Sequence, residues 1–145
     1  MNANRFRFIA RRALGFTLVE ILVVIAIIGL LASLVGPKVM GQLGGAKTKA
    51  TALQVKDLEQ AAELFKLDVG RFPSSAEGLD ALVNRPATAT GWNGPYLRRG
   101  LPKDPWGNAY LYENPGKHGE IDIYSLGQDK AAGGEGESTD VGNWQ

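Results

Sequence analysis

The residues able to do chemistry in this chain sit in two places. The first is the segment from Ser125 to Asp140, where four carboxylates (Asp129, Glu135, Glu137 and Asp140) and the hydroxyls of Ser138 and Thr139 are interleaved with Gly127, Gly133, Gly134 and Gly136 and a single lysine, Lys130. Calcium is held by about six to eight oxygens, backbone carbonyls included, and a glycine-rich loop can turn its carbonyls inward. The spacing is not that of an EF-hand, so composition leaves two readings open: a calcium loop, and a solvated acidic loop. The second place is Glu20, the one charge in the apolar run from Phe16 to Val35. A carboxylate inside a membrane helix costs roughly 2.5 to 3.5 kcal/mol on insertion scales and calls for a partner. The run contains no basic residue. Glu20 either finds its counter-charge outside its own segment or reaches back to the membrane interface, only five residues away.

Other chemistries are excluded by composition. There is no cysteine, which removes thiolate metal sites, disulfides and thiol catalysis. The one histidine, His118, lies in the turn-forming sequence Asn114-Pro115-Gly116-Lys117-His118-Gly119 and is read as a solvated loop residue, not a catalytic base. The net charge of +1 divides into four arginines in the first fifteen residues and a remainder at −3. The folded part is therefore not basic, and no nucleic-acid partner is expected.

These residues must be positioned by few elements, because 145 residues make one domain of ordinary size. Residues 16–35 have the length needed to cross a hydrocarbon core. The arginines ahead of them place the N-terminus in the cytoplasm and the rest of the chain, in a bacterium, in the periplasm. Gly36-Pro37 predicts a kink or weak point. Beyond it Val55, Leu58, Ala62, Phe65 and Val69 follow the 3.6-residue period of an amphipathic helix, and Gly70 supplies its stop. A helix from Phe16 to Val69 would be about 80 Å long.

Residues 71–105 read as a long loop holding one short helix, entered through the capping box Ser74-Ser75-Ala76-Glu77 and carrying Leu79, Leu82 and Val83. Strands are expected at Asn108–Tyr112 and Glu120–Tyr124, paired antiparallel, with a third near Gly142–Trp144. Trp92, Trp106, Trp144, Tyr96 and Tyr110 are expected to fill the core between sheet and helix. The fold class is α+β: a long N-terminal helix packed on a small three-stranded antiparallel sheet. Its segments are 1–15, 16–35, 36–70 and 71–145.

Three readings compete for the N-terminus. A secretory signal peptide would be cut after the apolar run and would not carry an acid within it; a twin-arginine signal at Arg11-Arg12 would also be cut after it. The third rests on resemblance. Arg11-Arg12-Ala13-Leu14-Gly15-Phe16-Thr17-Leu18-Val19-Glu20 resembles the class III signal of type IV pilins and pseudopilins, which a prepilin peptidase cuts after the glycine. The resemblance implies cleavage between Gly15 and Phe16, and methylation of the Phe16 amine by the same enzyme. It also gives Glu20 its partner: the new amine, on a neighbouring subunit, would fix the axial register of an assembly. Gly15 suits a cleavage site that needs an unhindered backbone.

The C-terminal half is more specific. Trp92-Asn93-Gly94-Pro95-Tyr96-Leu97, Leu101-Pro102-Lys103-Asp104-Pro105-Trp106-Gly107-Asn108, Asp122-Ile123-Tyr124-Ser125-Leu126-Gly127, Gly133-Gly134-Glu135-Gly136 and Asp140-Val141-Gly142-Asn143-Trp144 closely resemble the major pseudopilins of type II secretion systems. That resemblance implies the type IV pilin-like fold and a calcium ion in place of the cysteine pair of type IV pilins. The ligands it implies are the Leu126 carbonyl and the carboxylates of Asp129 and Asp140, with Ser138 or a neighbouring carbonyl. The sequence Gln128-Asp129-Lys130 departs from the commoner Ala-Asp-Gly pattern.

The implied function is a structural, non-enzymatic subunit of a homopolymeric helical filament, drawn from the inner membrane into a periplasmic pseudopilus. Its implied partners are the prepilin peptidase, minor pseudopilins, an inner-membrane assembly platform and an outer-membrane secretin. The alternatives are a type IV pilin or minor pseudopilin and, from another class, a membrane-anchored periplasmic binding module or hydrolase.

Overall fold

A computed structural model of the chain describes residues 15–145, so the basic leader ahead of Gly15 lies outside the described residues. By internal packing the chain divides into two units, one ending at Lys38 and one running from Val39 to Gln145. One helix, α1 (Leu18–Val69), contributes to both.

In the first unit α1 is apolar on every side. From Gly15 to Lys38 every residue but Gly36 is exposed, and the helix holds a window apolar enough to cross a membrane with none of it buried. Such a helix is at rest only in lipid or against other protein. Its start is capped by Thr17, whose hydroxyl oxygen accepts the Glu20 N–H at 3.2 Å and whose carbonyl accepts the Ile21 N–H. The helix assignment continues through Pro37. Proline has no N–H to offer the Ser33 carbonyl, so one rung of the ladder is missing there.

In the second unit the expected stripe forms the core. Val55, Leu58, Ala62 and Phe65 are at most 1% exposed, and Val69 packs at the edge. Gly70 ends the helix at φ +84, its N–H bonded to the Lys66 carbonyl at 2.8 Å. This is the left-handed stop that glycine adopts at little cost. The capping box is present in reciprocal form: Ser74 N–H donates to Glu77 Oε2 at 2.7 Å and Glu77 N–H to Ser74 Oγ at 3.3 Å. It opens a 3-10 helix, Gly78–Leu82, that buries Leu79, Ala81 and Leu82.

Three strands, β1 (Leu111–Glu113), β2 (Asp122–Ser125) and β3 (Val141–Gly142), form an antiparallel sheet in the order β1-β2-β3. Tyr112 faces Ile123 in one pair, and Ser125 faces Val141 in the other. The first strand begins later than its composition suggests. Asp104 is the reason: its Oδ1 accepts the N–H groups of Trp106 and Asn108, at 3.1 and 2.7 Å, and its backbone N–H donates to the Asn108 carbonyl. The expected opening residues of the strand are thus held by the preceding loop, with only a bridge from Lys103 to Ala109.

The aromatic residues divide. Tyr110 is buried, and Trp92 and Tyr96 pack partly buried against the core, with Phe65 to Tyr96 ring centroids 5.9 Å apart. Trp106 and Trp144 do not fill it. Trp106 is half-buried with its indole N–H on Glu137, and Trp144 is 37% exposed, stacked on His118 at 4.0 Å. Both indoles are engaged by polar or charged groups at the domain edge, where a ring can keep its polar atom satisfied.

Candidate functional site

At the N-terminal end, Gly15 is exposed and a side chain placed there would meet nothing within 4 Å. Phe16 is 78% exposed. Glu20 stands in the first turn of α1, where the helix dipole favours an acid and where Thr17, three residues earlier, caps the helix through the Glu20 N–H. The local sequence Thr17-Leu18-Val19-Glu20 therefore starts the helix as well as carrying the charge.

The C-terminal loop starts from the end of β2. Ser125 Oγ donates to the buried Asp104 Oδ2 at 2.6 Å and accepts the Gly127 N–H at 3.1 Å; the Gly127 carbonyl takes Asn108 Nδ2 at 3.0 Å. The loop then doubles back, with the Gln128 N–H on the Glu137 carbonyl at 2.9 Å and the Gly133 N–H on Asp140 Oδ2 at 2.8 Å. The turns need glycine. Gly127 has φ +69, and a Cβ there would lie 2.7 Å from the Glu137 carbonyl oxygen. Lys130 occupies the same left-handed region at φ 60, unlike any other non-glycine residue described.

The four implied ligands are placed unequally. Leu126 and Asp140 line one cavity of about 310 Å³, together with Tyr124, Ala132 and Trp144. Asp140 Oδ1 is buried without a hydrogen-bond partner. A buried carboxylate oxygen with no donor is a costly arrangement that a cation relieves. Asp129 is exposed and its Oδ1 is occupied by the Ala131 N–H at 3.1 Å, while Ser138, half-buried on the 3-10 turn Gly136–Ser138, lies against Gly134. Among the described residues no three His, Cys, Asp or Glu side chains converge on one point. Any cation here would draw on carbonyls as well as carboxylates, which suits calcium.

His118 is exposed in a loop, as its sequence suggests, but it is not without partners. Its Nδ1 lies 2.9 Å from Asp122 Oδ2, and its ring stacks on Trp144. Asp122 is buried and also accepts the N–H groups of Lys117 and His118. Burial works against its charge, but the hydrogen bonds from His118 and Lys117 win and hold its pKa below the usual aspartate value. The loop between β1 and β2 is thus wound on Asp122.

Two residues of the region have no local signal in the sequence. Glu137 accepts Lys47 Nζ and Trp106 Nε1 on one oxygen, both at 2.9 Å, joining residues 90 and 31 positions away. Asn143 Oδ1 accepts the Ile123 N–H at 3.0 Å, and its Nδ2 donates to Glu59 and to the Ile121 carbonyl. Its side chain continues the β2 pairing where β3 stops.

Comparisons with known proteins agree with this geometry. Residues 38–144 match the family "Type II secretion system (T2SS), protein G", and residues 10–36 match the prokaryotic N-terminal methylation motif. The chain is 44% identical over 137 residues to the type II secretion system core protein G of Vibrio cholerae, covering 92% of this chain and 93% of the relative. It is 46% identical over 138 residues to that of Aeromonas hydrophila, covering 92% and 94%. The crystal structure of the major pseudopilin from the type 2 secretion system of enterohaemorrhagic Escherichia coli superposes with a TM-score of 0.63 at 36% identity, covering 72% of this chain and 92% of that one.

Proposed function

This chain belongs to the type II secretion system protein G family, the major pseudopilins, and from that premise we propose that it is the structural subunit of a pseudopilus that helps export folded periplasmic proteins through the outer membrane. The observation that carries the reading is the pairing of a folded unit matching this family over residues 38–144 with an apolar helical segment exposed on every side. Such a segment needs first a membrane and then copies of itself. The methylation motif at 10–36 supports anchoring in the inner membrane, with the folded unit in the periplasm. The family match favours this reading over a type IV pilin, a minor pseudopilin or a binding module.

In this reading a prepilin peptidase cuts between Gly15 and Phe16, methylates the Phe16 amine and leaves the apolar helix on the mature subunit. Glu20 pairs with the Phe16 amine of a neighbour and sets the axial step. Association is head-to-tail and does not close, the geometry that gives a filament. Minor pseudopilins, an inner-membrane assembly platform and an outer-membrane secretin are its further partners. The subunit performs no catalysis; His118, the one histidine, is committed to Asp122 and Trp144.

We assign the C-terminal loop a structural calcium ion, held by Asp140 with the Leu126 carbonyl, Asp129 and Ser138. The orphaned Asp140 oxygen supports it, and the ion would staple a small unit whose sheet has three short strands.

The test is complementation: the full chain replaces the G subunit of a type II secretion system. Restored export, lost in Glu20→Ala, is the expected result. Export that stays absent although the chain is processed and present in the membrane would overturn the reading.

A further inference from the structure

Three stretches of chain far apart in sequence meet at Glu137. Its side chain accepts Lys47 from α1 and the Trp106 indole from the loop before β1. Its carbonyl accepts Gln128 N–H, at the start of the C-terminal loop. Lys47 Nζ also stands 5.9 Å from the Trp106 ring centroid, closing the triad.

The helix makes room for this side chain at one residue. Gly44 is buried while Gly41, Gln42, Leu43, Gly45 and Ala46 around it are exposed. A Cβ on Gly44 would lie 2.7 Å from Glu137 Cγ, too close for that carbon to stay where it is, and a tight 3.1 Å from Oε1. Gly36, Gly41 and Gly45, in the same helix, meet nothing within 4 Å. Glycine in the middle of a helix is unfavourable by about 1 kcal/mol relative to alanine, so Gly44 is accounted for by what crosses it.

We propose that Glu137 is a clasp and positioning residue: laid across Gly44 and gripped by Lys47 and Trp106, it fixes the C-terminal loop to α1 and carries the ordering of that loop to helical residues 44–51. The part of the proposal that concerns ordering by a cation rests on the calcium assignment above; the clasp itself does not. Coupling of this kind is reciprocal, so a helix held in place here also favours the bound loop.

Two measurements on the full chain in detergent micelles test it. The first is thermal unfolding in chelator. On helix propensity alone Gly44→Ala raises Tm, by roughly 4 °C. The clasp predicts the reverse: Gly44→Ala lowers Tm in the natural chain and raises it in the Glu137→Ala background. A rise in both backgrounds overturns the clasp. The second is amide exchange with and without calcium. In the natural chain calcium slows exchange at Gln128 and Gly133 and at residues 47–51, each at least fivefold. In Glu137→Ala the loop is still protected but the helix is not, and Glu137→Gln, which keeps an oxygen for Lys47 and Trp106, restores the helical effect. Equal protection of the helix in Glu137→Ala overturns the coupling. No calcium effect on any amide of the natural chain removes the calcium assignment instead, and the sign reversal at Gly44 then decides the clasp.

Discussion

Asp140 carries a buried oxygen that the fold leaves without a donor, and a side chain in that position acts differently with and without a cation. In chelator Asp140→Asn is expected to leave Tm unchanged or raise it, because the amide removes a buried charge. In calcium the natural chain is expected to melt higher than the variant, as a ligand bound only by the native state requires. A variant that keeps the calcium response would acquit Asp140. Lys130, at φ 60, holds a left-handed conformation that glycine adopts at less cost. Lys130→Gly should therefore stabilise the chain by about 1 kcal/mol in denaturant unfolding. At low pH the residue to watch is Glu77, whose pKa is driven well below the usual 4.5, first by the hydrogen bonds from Arg71 and then by those from Thr88 and Ser74. The unfolded chain then takes up a proton before the native one does. The stability that Glu77 contributes is complete above about 4.5 and declines as the pH falls below it. Glu77→Gln should flatten the fall of Tm between neutral pH and about pH 3; an unchanged slope would show that other carboxylates carry it.

The elements were legible to the extent that their signals are local. The stripe from Val55 to Phe65 is a short-range pattern, and its residues are the helix's share of the core. Phe65, fully buried, should cost about 3 to 5 kcal/mol as Phe65→Ala, measured by chemical unfolding. The capping box at Ser74 and Glu77 and the stop at Gly70 are equally local, and both formed. The strand bounds were not legible, because Asp104, itself in a loop, takes the N–H groups that would have begun β1. Nor were the sites of Trp106 and Trp144, whose partners Glu137 and His118 lie 31 and 26 residues away. Composition marks an indole as a burying group and is silent on which distant residue will engage it. The candidate site shows the same limit. The sequence brought Asp140 and Leu126 to one cavity, but the role of Glu137 depends on Gly44 and Lys47, which no local pattern connects to it.

For the whole molecule, the two units present different needs. Residues 39–145 satisfy themselves with a helix, a three-stranded sheet and loops wound on Asp104 and Asp122. Residues 18–35 stay exposed among the described residues, and their one carboxylate has no basic residue in that run to pair with. In the proposed filament both deficits would be met by neighbouring copies: apolar helices would pack on one another, and Glu20 would meet the amine that cleavage after Gly15 creates. Membership in the protein G family supports a pseudopilus as the setting. The decisive measurement is electron microscopy of cells that carry a type II secretion system with this chain as the sole major pseudopilin, produced in excess. Fibres built of a processed subunit beginning at Phe16, absent when Glu20 is replaced by alanine, are the expected result. A processed subunit that stays dispersed in the membrane, or fibres that form as well with Glu20→Ala, would overturn the filament reading.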